Sequence, residues 1–265
     1  MTSSFASHYD LQRAPDLAHR AADWRNGALV YQVLVDRFAP PENIEAKRHL
    51  YASPRKLRKW NESPQRGTFL SEHDVWSHEV DFWGGDLNSL RGQLDHVQDL
   101  GADVLYLNPI HQALTNHKYD AQDYFAVSPE YGTRADLKTL ADDLHRRGMK
   151  LVLDGVFNHV GRSSAWFQEA MKDADSPKRS WFDIAPTYKL GYRAWANVAN
   201  LPELRLENPA VQARVFRDPD SVVQGYLRDG VDGWRLDVAS DIGFAILADL
   251  TRAAHEARPG SLVIG

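Results

Sequence analysis

The sequence predicts a parallel α/β fold. Three observations predict it. Short runs rich in β-branched and aromatic residues recur along the chain. Between them lie stretches whose apolar residues repeat at helical spacing. A glycine, or a Pro-Gly pair, closes most of those stretches just before the next run. Strands alternating with helices imply a parallel sheet buried on both faces.

The elements follow in order. "ALVYQVLVDRF" (28–38) reads as the first strand. "SLRGQLDHVQDLG" (89–101) places Leu90, Leu94, Val97 and Leu100 on one helical face, with Ser89 as cap and Gly101 as stop. "DVLYLNP" (103–109) is a short buried strand. A helix begins at Thr133, turns Leu137, Leu140 and Leu144 inward, and closes at Gly148. "KLVLDGVFNH" (150–159) is the third strand with its loop. Asn208-Pro209 is an N-cap and first-turn pair, opening a helix that Pro219 breaks and Gly230 ends. "VDGWRLDVAS" (231–240) is the fourth strand, a helix covers about 246–257, and "SLVIG" (261–265) is the fifth.

Strand starts near 29, 103, 150, 232 and 261 leave gaps of 74, 47, 82 and 29 residues. A bare strand–helix–strand unit needs about 30 residues. The first gap therefore carries an excursion at about 39–82, and the third carries one at about 161–207. The second is rich in Trp, Tyr, Pro and charge, which reads as a small irregular subdomain rather than a linker. The expected organisation is a lead segment (1–28), a first part of the main domain (29–160), the inserted subdomain (161–207) and the continuation (208–265).

Composition narrows the function. The net charge is -5 with no basic block, so no nucleic-acid partner is expected. There is no cysteine, hence no disulfide and no thiol chemistry. The first 24 residues lack an apolar h-region, and no window resembles a membrane span, so a cytoplasmic protein without a membrane partner is expected. Eight Trp and ten Tyr can fill cores or form platforms for sugar rings.

In parallel α/β folds, functional groups gather where strands end. The polar clusters stand there: Asn108, then Asp154 with Asn158 and His159, then Arg235 with Asp237. Alternation puts Arg235 and Asp237 on one face of their strand, with Trp234, Leu236 and Val238 on the other. A charged pair in a buried strand is costly unless paired or at an open mouth. It is either a structural salt bridge or a carboxylate held ionised as a nucleophile by its guanidinium neighbour. Alone, "DGVFNH" (154–159) also reads as an Asx-turn with a surface His, and "NHKYD" (116–120) as a polar loop.

Together these clusters resemble the α-amylase superfamily, glycoside hydrolase family 13, over about residues 28–265. "DGVFNH" is similar to its first conserved region and "GWRLDVAS" (233–240) to its second. "FWGGDL" (82–87) and "LPELRLENPAV" (201–211) are similar to two auxiliary regions. "VYQVLVDRF", "GGDLNSLRGQLDHVQDLGADVLYLNPI" and "NHKYDAQDYF" resemble the neopullulanase, cyclomaltodextrinase and maltogenic amylase group.

The resemblance implies the N-terminal five-strand portion of a (β/α)₈ TIM barrel, with a small subdomain inserted after the third strand. It implies a retaining hydrolase of α-glucosidic bonds in maltooligosaccharides, cyclodextrins or related glucans, with an oligosaccharide as partner. Asp237 would be the nucleophile, and Arg235 would orient it. A carboxylic acid about 5–5.5 Å away would protonate the leaving oxygen. His159 would hydrogen-bond the sugar left of the scissile bond, Tyr119 would stack on it with His117 beside, and Asp154 and Asn158 would shape the floor. "LVIG" matches the third region up to the residue before the general-acid Glu, so residues 1–265 alone are expected to turn over little or no substrate. Asn158 matches a calcium ligand of secreted α-amylases, but the completing acidic motif is not recognisable, so no cofactor or metal is expected.

The chain departs from the group at Arg205, where Asn is usual, and at Ser240-Asp241, where Asn-Glu is frequent. Only about 28 residues precede the first strand, where the group commonly has a starch-binding domain. The alternatives are an α-glucosidase or transglycosylase on the same scaffold, a non-catalytic carbohydrate-binding barrel, and a half-barrel interaction domain. The sequence sets no oligomeric state.

Overall fold

The structure, a computed structural model, describes residues 8–265. Residues 1–7 of the lead segment, and with them part of the stretch read for an h-region, lie outside the described residues. The lead holds a helix that periodicity did not announce, α1 (His8–Ala22). After it, Trp24 donates its indole N–H to the Gly260 carbonyl at 3.2 Å.

Five strands form one parallel sheet in sequential order: β1 (Val30–Val33), β2 (Val104–Leu107), β3 (Lys150–Gly155), β4 (Gly233–Leu236) and β5 (Leu262–Ile264). Sequential parallel order is the arrangement of a barrel wall. Among the described residues the wall is an open arc, with β1 and β5 at its edges. Leu105, Leu107, Leu151, Leu153, Trp234 and Leu236 alternate onto the outer face and join one hydrophobic core with the helices. The inner face carries Gln32, Tyr106, Asp154 and Arg235, the last two in register.

Each strand is shorter than the sequence implies, and the first and fourth stop for visible reasons. The 28–38 run leaves the sheet at Val33, and residues Val35–Arg37 form a 3₁₀ turn. The cause is Asp36, fully buried, whose carboxylate accepts the Trp83 N–H (3.0 and 3.1 Å) and the Gly84 N–H (2.9 Å). A side chain on Gly85 would stand 2.2 Å from the Val35 carbonyl oxygen, which explains the second glycine of "FWGGDL".

The 89–101 helix is two: α2 (Leu87–Arg91) and α3 (Leu94–Asp99), separated at Gly92-Gln93. Its cap is Asp86, which accepts the Ser89 N–H at 2.7 Å; Ser89 is the third helical residue and returns a hydroxyl to the Asp86 N–H. Leu90, Leu94 and Val97 are buried, but Leu100 is half-exposed, because the helix ends at Asp99 and Gly101 turns the chain at φ +76. The next helix, α4 (Arg134–Arg146), keeps its Thr133 cap and its Leu137, Leu140 and Leu144 face. In the 161–207 stretch, α5 (Ala165–Lys172) sends Phe167 into the main core beside Phe182, Tyr192 and Leu204. The 208–230 helix is α6 (Pro209–Gln212), a π turn (Ala213–Arg217) and, past Pro219, α7 (Val222–Arg228). The 231–240 strand ends at Leu236, so Val238 does not share a strand face with Trp234. It begins α8 (Ala239–Ile242) instead, and α9 (Phe244–Ala257) leads into β5.

One core residue carries a pH dependence. His111 is fully buried, stacked 6.2 Å from Trp234 and edge-on to Tyr226 at 5.2 Å. Neither ring nitrogen has a hydrogen-bond partner among the described residues. Burial pushes its pKa down to about 3, with Arg134 adding to the effect. Between the ordinary value near 6.5 and 3 the unfolded chain binds a proton that the folded chain does not. Stability is therefore full above about pH 6.5 and falls as pH drops towards 3. His111→Phe keeps the ring and removes the proton site. Its urea midpoint is expected to exceed wild type by clearly more at about pH 4.5 than at about pH 7.5. An equal difference at both pH values would show that the imidazole does not carry the slope.

Candidate active site

The inner face of the arc ends in a cluster of polar side chains. β3 delivers Asp154 and β4 delivers Arg235, at matched register positions. Arg235 Nη1 donates to both Asp154 oxygens (3.1 and 3.2 Å) and to Asp237 Oδ1 (2.8 Å). Asp154 also accepts the Tyr106 hydroxyl at 2.5 Å and the Tyr119 hydroxyl at 3.1 Å, both on Oδ2. Burial and the Asp154 charge push both phenols up, Tyr119 to about 12, so both are donors at neutral pH. Burial works against the Arg235 charge, but Asp154 outweighs it, and the guanidinium is pushed further up.

Asp237 differs from Asp154. Its side chain is 15% exposed, and its Oδ2 accepts no hydrogen bond from the described residues. The backbone holds it at the rim: Asp237 N–H bonds the Gly155 carbonyl at 3.1 Å. The following residue, Val238, sits at φ 43, ψ 44, a left-handed conformation that a β-branched residue adopts at a cost of about 1–3 kcal/mol. That turn ends the strand sharply and starts α8, leaving Asp237 at the mouth.

The loop after β3 brings Asn158 and His159. Tyr124 O–H bonds the Val156 carbonyl at 2.6 Å and also the His159 carbonyl, which fixes the loop. His159 Nε2 lies 3.1 Å from the Tyr119 carbonyl; a carbonyl only accepts, so Nε2 carries the proton. Nδ1 is 3.5 Å from Asn158 Nδ2. Burial brings the His159 pKa down to about 4, so the ring is neutral at neutral pH. His117 lies 5.7 Å from the Tyr119 ring and pairs with Glu79 at 3.4 Å. The structure thus brings Asp154, Arg235, Asp237 and Tyr119 into one bonded cluster. His159 is joined through the Tyr119 backbone and Asn158 through His159, and His117 stands at the edge.

Three further residues belong to the site and escaped sequence reasoning. Tyr106 reads as core in "VLYLN", although it alternates onto the same face as Asn108, and that was the available signal. Gln32 donates to Asn108 Oδ1 at 3.0 Å, and Asn108 donates to the Tyr119 hydroxyl at 3.4 Å. Trp195, from the 161–207 stretch, stacks on His159 at 5.8 Å and donates its indole N–H to Asp241 at 3.1 Å. Nothing local in the sequence marks it. Among the described residues no three His, Cys, Asp or Glu side chains gather as a metal site, and Asn158 has only His159 beside its amide. No helix among them is long and apolar enough to cross a membrane.

Comparison with known proteins places this geometry. Residues 32–257 match the alpha amylase catalytic domain. The chain is 31% identical to neopullulanase 2 of Thermoactinomyces vulgaris over 250 residues, which are 92% of this chain and 39% of that protein. It is 33% identical to the intracellular maltogenic amylase of Bacillus subtilis (strain 168), over 93% of this chain and 39% of that protein. Among solved structures, the cyclic α-maltosyl-(1→6)-maltose hydrolase of Arthrobacter globiformis superposes with a TM-score of 0.75 at 31% identity, covering 91% of this chain and 51% of that one. The chain thus spans about two fifths of the curated relatives' length. Sequential parallel strands, polar groups at their carboxyl ends and a catalytic-domain match across most of the chain agree: this chain belongs to the α-amylase family.

Proposed function

We propose that the protein carrying this chain is a retaining glycoside hydrolase of α-glucosidic bonds, acting on maltooligosaccharides, cyclodextrins or related glucans, with Asp237 as nucleophile. The observation that carries it is the asymmetry of the two aspartates around Arg235. Asp154 is buried and fully engaged by donors. Asp237 has one oxygen oriented by the guanidinium and one oxygen free at the mouth. That is the arrangement a nucleophilic carboxylate needs: fixed direction, available lone pair.

In the proposed first step, Asp237 Oδ2 attacks the anomeric carbon as the bond to the leaving oxygen breaks. A carboxylic acid protonates that oxygen; no described residue is assigned this role. Water or a second sugar then displaces Asp237, giving hydrolysis or transfer. Arg235 holds Asp237, and Asp154 holds Arg235. Tyr119 supports the sugar with His117 beside it, and Asn158 and His159 form the wall behind. Trp195 stacks on the face of the His159 ring, while Nε2–H is held by the Tyr119 carbonyl, so a sugar that bonds Nε2–H directly takes it from that carbonyl. The 161–207 stretch, as an inserted subdomain, closes that side of the mouth.

The test is cleavage of β-cyclodextrin and maltotriose by the full-length protein, with the product anomer followed by proton NMR. The α anomer is expected first. The β anomer first, or no cleavage of either substrate, would sink the proposal. Adding glucose as acceptor separates the two outcomes of the second step: longer products mean transfer.

A further inference from the structure

We propose that a groove beside the site, between the first excursion and the inserted stretch, binds the distal sugars of a long neutral α-glucan whose scissile bond lies at Asp237. The inference rests on the proposed function and names a substrate length preference for it. The groove has a volume of about 420 Å³ and is lined by Phe69, Trp76, Glu79, His117, Asn197 and Leu201, among others. That is room for a bound oligosaccharide segment.

Its platform is aromatic and exposed. Phe69 and Trp76 pair across a short hairpin (Phe69–Leu70 with Val75–Trp76), with ring centroids 5.6 Å apart at 67°. They are 52% and 48% exposed. Two large rings left half in water on one small hairpin are a patch that calls for a partner. The C–H face of a pyranose is apolar and flat, and it suits the face of an indole or phenyl ring.

The groove is built rather than loose. Glu79 Oε2 accepts the Trp76 N–H, and the Thr68 N–H bonds Ser77 Oγ at 3.0 Å. Asp74 in the hairpin turn is ion-paired with Arg162. Asn116, in the loop that carries Tyr119, donates its amide to the His78 and Asp81 carbonyls at 2.7 and 2.9 Å. The platform is thereby tied to the active-site loop, and binding costs little ordering.

The polar lining selects the ligand. The lining residues include the carboxylates of Asp74 and Glu79 and no lysine or arginine. Phosphorylated or sulfated glycans are disfavoured, while hydroxyls find acceptors and amides. Continuity fixes the occupant. His117 lines the groove and its ring lies 5.7 Å from Tyr119, which bonds Asp154, which shares Arg235 with Asp237. A glucan running from the nucleophile past Tyr119 and His117 reaches Trp76 next.

The experiment compares kcat/KM for maltoheptaose and maltotriose in the full-length protein. In Trp76→Ala the ratio of the two is expected to fall about tenfold, and Trp76→Phe is expected to retain most of it. Ala199→Trp places a large side chain in the groove from outside the hairpin and is expected to lower the same ratio. An unchanged ratio in both Trp76→Ala and Ala199→Trp, with circular-dichroism melts confirming folding, overturns the inference. Titration calorimetry of maltoheptaose reads the groove separately from catalysis. If the wild type cleaves no α-glucan but binds maltoheptaose, and Trp76→Ala loses that binding, the groove stands and the proposed activity falls. If Trp76→Ala binds as wild type does, the groove falls.

Discussion

In the full-length protein, Asp237→Asn is expected to lower kcat/KM on maltooligosaccharides by roughly 10⁴-fold or more, the scale of losing an essential nucleophile. Substrate binding is expected to survive, because Arg235 keeps its pair with Asp154 at 3.1 Å when the Asp237 charge is removed. The truncation Asp237→Ala adds a test that a structural role would fail. It leaves a space on the face from which the carboxylate attacks, so added azide is expected to restore turnover of an activated α-glucoside such as the fluoride. Azide forms the bond to the anomeric carbon, fluoride leaves with the electron pair, and the product is the β-glycosyl azide. Residual activity above about a hundredth of wild type in Asp237→Asn would remove it from the nucleophile's role.

Lys118→Met is expected to destabilise the protein by about 3–5 kcal/mol, measured by urea unfolding, because it strands a buried carboxylate. Lys118 is fully buried at φ 61, and its ammonium donates to Glu130 Oε1 at 2.6 Å and to Ser128 Oγ at 2.9 Å. It also lies 4.5 Å over the Tyr131 ring. Burial opposes the Glu130 charge, yet Lys118 and Arg55 bring its pKa down to about 2. In wild type the pair's contribution is present above the ordinary glutamate value and lost as pH falls through about 2. In Lys118→Met the one cation paired with Glu130 among the described residues is Arg55, at 3.4 Å. The dependence on Glu130 is then expected to weaken or reverse, since burial now favours the neutral acid. Lys118→Met with Glu130→Gln is expected to recover part of the loss. A single variant within about 1 kcal/mol of wild type would show that the pair is worth no more than an apolar contact.

Much of the arc was legible because its signals are local and periodic. Alternation in "GWRLD" put Arg235 and Asp237 on one face, and they are 2.8 Å apart. Thr133, Asn208 and Gly101 marked helix ends as capping chemistry requires. Strand lengths were less legible. Asp36 withdraws residues 35–37 from the first strand through amides 47 and 48 residues away, and Val238 leaves the fourth in a conformation its side chain disfavours. Leu100 has helical spacing, but a helix that stops at Asp99 cannot bury it. Trp195 and Tyr106 were missed because an aromatic residue looks alike in a core and in a site.

By itself the sequence determined the parallel alternation, the two long excursions, the clusters at the strand ends and the family those clusters resemble. Each follows from spacing along the chain, which period and propensity record. Only the tertiary structure decided which aspartate is engaged and which is free. Asp154 and Asp237 stand at strand ends 83 residues apart, counted from 154 to 237. Register aligns Asp154 with Arg235, two tyrosines from other elements close on it, and the turn at Val238 leaves Asp237 one open oxygen. Hydrogen-bond partners across such separations are set by how strands pair, and no local pattern encodes them.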